Sequence, residues 1–170
     1  GSLTNIICVS LSRIPHHAYA VESNGSLWVW GNNANGQLGL GDATMRQTPI
    51  LHPSLNNVVK VVAAAGYTTA GNGPTGHGLI LRGDGTIWAA GYNGFGQLGL
   101  GDATDRVSFT QIAHPAFFTD IFSGDGRYPA CGAISQQKDI YLWGYNGYGQ
   151  CGSGNTVNQL SPFKPAGAFQ

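Results

Sequence analysis

A chain of 170 residues and 17.8 kDa has the length of one domain or of a few small repeats, and its eight basic residues balance eight acidic ones. Charged residues make up only 9% of it, against about 25% in an average protein, which argues against a basic nucleic-acid-binding domain, a polybasic membrane-surface domain and a charged helical bundle. Glycine contributes 27 residues, yet 42% of the chain is hydrophobic and 11% aromatic, too apolar for a disordered Gly-rich linker. The composition reads as all-β with many tight turns. No apolar run approaches the ~20 residues that span a bilayer, so no membrane insertion is expected, and the opening residues do not read as a signal peptide. Gly1-Ser2 reads as an expression scar, which leaves residues 3–170 as a single repeat domain.

In chain order, short strands are predicted at residues 6–9, 17–21 and 26–30, then 57–63, 77–81 and 86–90, and last at 117–122, 130–134 and 140–143. Turns precede the third strand of each set, at Asn24-Gly25, Asp84-Gly85 and Lys138-Asp139. The first two are the dipeptides a type I′ hairpin asks for, with φ > 0 at both positions. Residues 71–76 look like an insertion in the second set.

The chain repeats itself. Residues 30–44 read WGNNANGQLGLGDAT and residues 90–104 read AGYNGFGQLGLGDAT, identical at eleven of fifteen positions; a third copy, WGYNGYGQCGSGNT, occupies 143–156. The marker glutamines Gln37, Gln97 and Gln150 are 60 and 53 residues apart. About four short strands per period is the size of a propeller blade.

These residues resemble the regulator of chromosome condensation repeat family. Its mark is a strand ending in Trp-Gly, then Asn and a Gly-Gln-Leu-Gly loop, a Pro-containing linker, and a strand leading to Gly and His. Here that is Trp30-Gly31-Asn32, Gly36-Gln37-Leu38-Gly39, Pro49, residues 58–66 and His77. Ala90 replaces Trp, Cys151 replaces Leu and Ala130 replaces His in individual copies. The resemblance covers residues 5–170 and implies an all-β fold, a β-propeller of about three four-stranded blades per chain. The repeats run approximately 24–83, 84–136 and 137–170 plus 5–23, so the N-terminal strands match those that would follow Ser161-Pro162. Closed rings have about four to eight blades. The expectation is therefore either a homo-oligomer, in which a second chain completes the ring head to tail, or a part of a longer chain.

The polar residues read as structural. His17 and His77 hold equivalent repeat positions, which favours packing over metal ligation; His52 and His114 precede prolines in linkers and are expected to be solvated. Asp42 and Asp102 follow Gly-Leu-Gly and are expected to bond the backbone two residues on. The glycine loops follow strands and have neither a helix nor a lysine after them, unlike a phosphate cradle. Cys8, Cys131 and Cys151 lack CxxC spacing and are expected buried and unpaired. No catalytic residue, metal ligand or cofactor site emerges, so the reading is not an enzyme.

The loops after Trp30, Ala90 and Trp143 carry the functional candidates: Asn33, Asn35, Tyr92, Asn93, Phe95, Tyr145, Asn146 and Tyr148. Aromatic faces beside amides suit sugar rings, and Tyr and Trp are enriched at protein hot spots; the same rings also suit packing between blades. Trp28, Trp88 and Tyr141 share one face of equivalent strands and read as core. The resemblance spans a nuclear guanine-nucleotide exchange factor, enzyme inhibitors and phage or bacterial surface modules. With 3 Lys and 5 Arg scattered singly, nucleic acid is not an expected partner and the nuclear reading is disfavoured. The expectation is a non-enzymatic binding module for a cell-surface glycan or protein receptor, in a phage tail fibre or bacterial surface protein of extracellular or virion location. The alternative is a protein–protein inhibitor or scaffold that uses one propeller face.

Overall fold

The structure, a computed structural model, describes residues 3–14, 16–67, 73–124 and 126–166. Among them the regular elements are all strands, in three four-stranded antiparallel sheets. The first blade is β1 (Ile6–Leu11), β2 (His17–Glu22), β3 (Leu27–Gly31) and β4 (Arg46–Leu51). The second is β5 (Val58–Tyr67), β6 (Pro74–Arg82), β7 (Ile87–Gly91) and β8 (Arg106–Gln111). The third is β9 (Phe118–Ser123), β10 (Ala130–Ser135), β11 (Ile140–Gly144) and β12 (Gln159–Phe163). Each is a meander in chain order, with β1 and β2 pairing beside β3, so the blades are offset from the sequence repeats.

Side chains alternate between the two faces of a strand, so each blade has a forward face for the next blade and a rear face for the one before. Tyr19, Val21, Leu27 and Val29 of blade one pack against Val58, Val61, Ile80 and Ala90 of blade two. Leu79, Leu81, Ile87 and Ala89 of blade two pack in the same way against Phe118, Ile121 and Trp143 of blade three. At ~1.5–3 kcal/mol for each fully buried large side chain, these two junctions hold the array together. Gly78 shows how closely the sheets approach, because a Cβ there would lie 2.0 Å from the Tyr19 hydroxyl.

The hairpin turns differ from the type I′ expectation. Gly25 and Gly85 have positive φ while Asn24 and Asp84 do not. Gly25 N–H donates to the Glu22 carbonyl and Glu22 N–H to the Ser26 carbonyl, a type I turn closed by one left-handed residue. In the third blade that residue is Lys138, at φ 69°, so Gln137-Lys138 is the equivalent pair, one position earlier than the sequence comparison placed it.

The linkers also correct the sequence reading. His52 is buried, its Nε2 3.2 Å from the Gly39 carbonyl and its Nδ1 accepting from Leu55 N–H at 3.1 Å. His114 lies against the rings of Tyr141 and Phe118, at 4.7 and 5.2 Å. Both histidines fasten a linker to the blades and are not simply solvated. Of the expected insertion, residues 71 and 72 lie outside the described residues; around it, Ala65 to Tyr67 pair with Gly76 to Pro74 and lengthen the β5–β6 hairpin.

Candidate functional site

Each repeat loop is built round one asparagine. Asn33 Nδ2 donates to the Asp42 carbonyl at 2.8 Å, and its Oδ1 accepts from Leu38 N–H at 2.8 Å. Asn93 does the same with Asp102 and Leu98, at 2.9 Å each. Asn146 repeats it with Asn155 and Cys151, at 2.9 and 2.8 Å. All three are fully buried, so their amides staple the loops and do not face a ligand. Asn35 also serves the scaffold, its Oδ1 accepting from Gly76 N–H of the next blade at 3.1 Å. Asp42 and Asp102 make the expected turn, accepting from Thr44 and Thr104 N–H at 2.8 Å, and each binds an arginine, Arg46 or Arg106.

With the amides engaged, the aromatics remain. Tyr92 and Tyr145 lie over Gly94 and Gly147, where a Cβ would sit 2.1 Å from the phenol oxygen. Phe95 is 6% exposed and meets the rings of Tyr92, Tyr128 and Tyr145 edge to face, at 6.2, 5.9 and 5.2 Å. It therefore fills the junction between blades two and three. Beyond it the cluster opens to solvent. Tyr128 and Tyr145 stack at 4.4 Å and 17°, Tyr148 flanks both at about 6 Å and is 77% exposed, and the Arg127 guanidinium covers the Tyr128 ring at 5.5 Å. Desolvation, with the neighbouring Tyr148 and Tyr128 phenols, raises the Tyr145 pKa.

The sequence candidates thus separate. Tyr92, Tyr145 and Tyr148 cluster round the buried Phe95; Asn33, Asn35, Asn93 and Asn146 serve the scaffold. Tyr128 and Arg127 escaped sequence reasoning because they precede β10, outside the repeated loop. Their signal, Arg127-Tyr128-Pro129, has no counterpart in the other copies.

A second polar cluster lies inside. His17 Nδ1 is 2.9 Å from the Ser12 hydroxyl and its Nε2 3.2 Å from the His77 carbonyl; His77 Nε2 is 3.3 Å from Cys131 Sγ. Burial lowers the His17 pKa to about 4. For His77, burial and then the charge of His17 lower it to about 3. Burial pushes the Cys131 thiol up to about 12. A neutral imidazole chain beside a protonated, enclosed thiol is a packing device, with no nucleophile to offer. Among the described residues, no three His, Cys, Asp or Glu side chains group as a metal site would require. Cys131 and Cys151 are buried and Cys8 is half-buried, all three as free thiols.

Three meander blades, joined through Asn-stapled glycine loops, define a β-propeller repeat array. The chain carries repeats of the regulator of chromosome condensation (RCC1) type, whose family model matches residues 24–70 and 139–168. It is 32% identical over 169 residues to human "Probable E3 ubiquitin-protein ligase HERC4", covering 96% of this chain and 15% of the relative. It is 32% identical over 154 residues to the Arabidopsis thaliana "Ultraviolet-B receptor UVR8", covering 87% and 32%. The zebrafish "Protein RCC2 homolog" is 34% identical over 153 residues, covering 86% and 28%. The chain thus spans a third or less of these curated relatives. Two solved structures share the fold with a TM-score of 0.75. One is human WBSCR16, at 21% identity, with 94% of this chain and 39% of that one covered. The other is yeast RCC1 (Prp20) bound by Kap60, at 20% identity, with 98% and 38% covered.

These relatives overturn the expected extracellular or virion location: they include a probable E3 ubiquitin-protein ligase, an ultraviolet-B receptor and a GTPase regulator. Low charge was a poor guide to compartment. It follows from loops built of glycine and buried amides, which the blade itself requires.

Proposed function

We propose that this chain is a non-catalytic protein-binding module, and that the shelf formed by Arg127, Tyr128, Tyr145 and Tyr148 is its docking surface. The observation that carries the reading is the half-buried Tyr128–Tyr145 stack, flanked by the exposed Tyr148 and covered by an arginine. Tyrosine and arginine dominate protein hot spots, and rings already held in place lose little conformational freedom on binding. A protein partner fits better than a glycan, because the amides a sugar would need are buried in Asn33, Asn93 and Asn146. The relatives point the same way: yeast Prp20 is bound by Kap60 and has binding properties to Gsp1p and histones, and another relative is a GTPase regulator.

The test is quantitative capture from a lysate of the source organism, with wild type and the Arg127→Ala/Tyr128→Ala variant side by side, followed by titration of each captured protein after purification. The expected result is at least one partner whose affinity falls by about 30-fold, the scale of a 2 kcal/mol hot spot. Partners indifferent to the substitution, or binding only to a glycan array, would refute the assignment.

A further inference from the structure

Two linkers run from the outer strand of one blade to the inner strand of the next, and both junctions are internal to the chain. Backbone hydrogen bonds fix their register at each end. His52 N–H donates to the Leu27 carbonyl and Ile112 N–H to that of Ile87; further on, Val58 N–H donates to Gly25 and Phe118 N–H to Gly85. Residues 52–58 and 112–118 therefore match position for position. On the blades that they enter, Trp88 pairs with Ile80 and Tyr141 with Ala133, three residues before Gly91 and Gly144, so these two rings match as well.

The matched junctions differ at one linker position, where His114 stands in the second and Ser54 in the first. The His114 ring lies edge to face against Tyr141 at 4.7 Å, and 5.2 Å from Phe118. Its Nδ1 accepts from Ala116 N–H at 3.1 Å. Burial lowers its pKa, so the imidazole sits there as a neutral ring.

Ser54 carries no ring to set against Trp88. A cavity of about 420 Å³ lies there instead, between Ser54 and Asn56 of the linker and Ser108 and Phe109 of β8. The Trp88 indole N–H is taken by the Thr86 hydroxyl at 3.1 Å, so the half-buried indole presents carbon to the cavity. Arg82 closes one end, its guanidinium 5.9 Å from the Trp88 ring centre. The Asn56 carbonyl at 3.0 Å, Asn56 Oδ1 at 3.2 Å and Asp84 at 3.1 Å hold it in place. Asp84 also meets its charge, so the cavity has no unmatched cation to select an anion. One donor is left over: Asn56 N–H, the match of Ala116 N–H, has no acceptor among the described residues.

We propose that this cavity binds a small planar nitrogen heterocycle, whose unprotonated ring nitrogen accepts from Asn56 N–H while the ring lies against Trp88. The ligand does for the first junction what the His114 side chain does for the second. A volume of about 420 Å³ falls within the ~300–1,000 Å³ of small-molecule sites and admits a fused two-ring system.

The experiment is titration of the full chain with benzimidazole, and with indole as the ring of like size that lacks an acceptor nitrogen. Amide and indole resonances in ¹H–¹⁵N NMR spectra report the binding. The expected result is saturable shifts at Asn56 and Trp88, with a benzimidazole Kd of about 1 mM or tighter. Indole should bind at least about fivefold more weakly, because it leaves Asn56 N–H unmet. Ser54→His, at an exposed position, should set the chain's own imidazole in the cavity; Tm then rises by roughly 2–4 °C and the benzimidazole shifts vanish. No saturable shift up to about 20 mM, well above that Kd, would overturn the proposal. Equal affinity for indole, or binding unchanged in Ser54→His, would overturn it as well. None of these readouts involves Arg127 or Tyr128, so the outcome is independent of the docking shelf.

Discussion

The indole N–H of Trp143 donates to the backbone carbonyl of Gln97 at 2.9 Å, tying the rear of the third blade to the repeat loop of the second. In the first loop the equivalent carbonyl, on Gln37, accepts from the Tyr19 hydroxyl instead. One acceptor is thus satisfied by two unrelated side chains, because Ala90 stands where the third copy has Trp143. Trp143→Phe should leave the Gln97 carbonyl without this donor in a water-free junction, at a cost of about 1–3 kcal/mol. Urea denaturation of the variant checks this; an unchanged midpoint would show that the bond contributes nothing net.

The buried asparagines give a second expectation. Asn93→Ala removes the donors to the Asp102 carbonyl and the acceptor for Leu98 N–H, so stability should fall by more than about 2 kcal/mol. Affinity of the folded fraction for a protein partner should stay within twofold, because Asn93 is fully buried. Melting and titration of the same sample separate the two effects.

Lys138 adopts φ 69° where the other blades place Gly25 and Gly85. Left-handed backbone costs an ordinary residue about 1–2 kcal/mol, and glycine pays little of it. Lys138→Gly should therefore raise stability by roughly 1 kcal/mol. Gly25→Ala should lower it by more than that, because its Cβ would also lie 2.9 Å from Asn57 Cα. Thermal melts of both variants test the pair.

The interior histidines set an acid limit. His17 and His77 titrate near 4 and 3 in the fold and near 6.5 when free, so protonation favours the unfolded chain. Their contribution is fully present above about pH 6.5 and is lost as pH falls from there toward 4 for His17 and toward 3 for His77. By pH 5 each histidine should remove on the order of 2 kcal/mol. Denaturation midpoints at pH 7.5, 6 and 5 should fall in that order, and a flat profile would show that neither imidazole is buried in neutral form.

Much of the fold was legible because its determinants are local. The three loops announce themselves as Asn followed by Gly-Gln, and the strands as short apolar runs between turn residues. The aspartate turns at Asp42 and Asp102 came out as expected, since an Asx turn needs only its own neighbours. Turn type did not, because Asn-Gly suits a type I′ hairpin as well as the type I turn with one left-handed residue that the blade uses. The linker histidines looked solvated beside their prolines, yet the blades close over His52 and set His114 against Tyr141. The candidate site was half visible: the loop aromatics were conspicuous, while Tyr128 and Arg127 belong to no repeat and join the cluster only through space.

The amino-acid sequence by itself determined the three inner strands of each blade and the repeated glycine loops, because turn chemistry and backbone conformation are settled within a few residues; the outer strands β4, β8 and β12 and the use of Asn33, Asn93 and Asn146 as staples emerged only in the fold. The tertiary structure alone decided which of several like residues is covered. Phe95 is enclosed while Tyr148, at the same loop position, is open; Val61 is buried while Val9, in the same register, is not. Burial depends on whether another blade lies against that face, and no stretch of chain carries that information about itself.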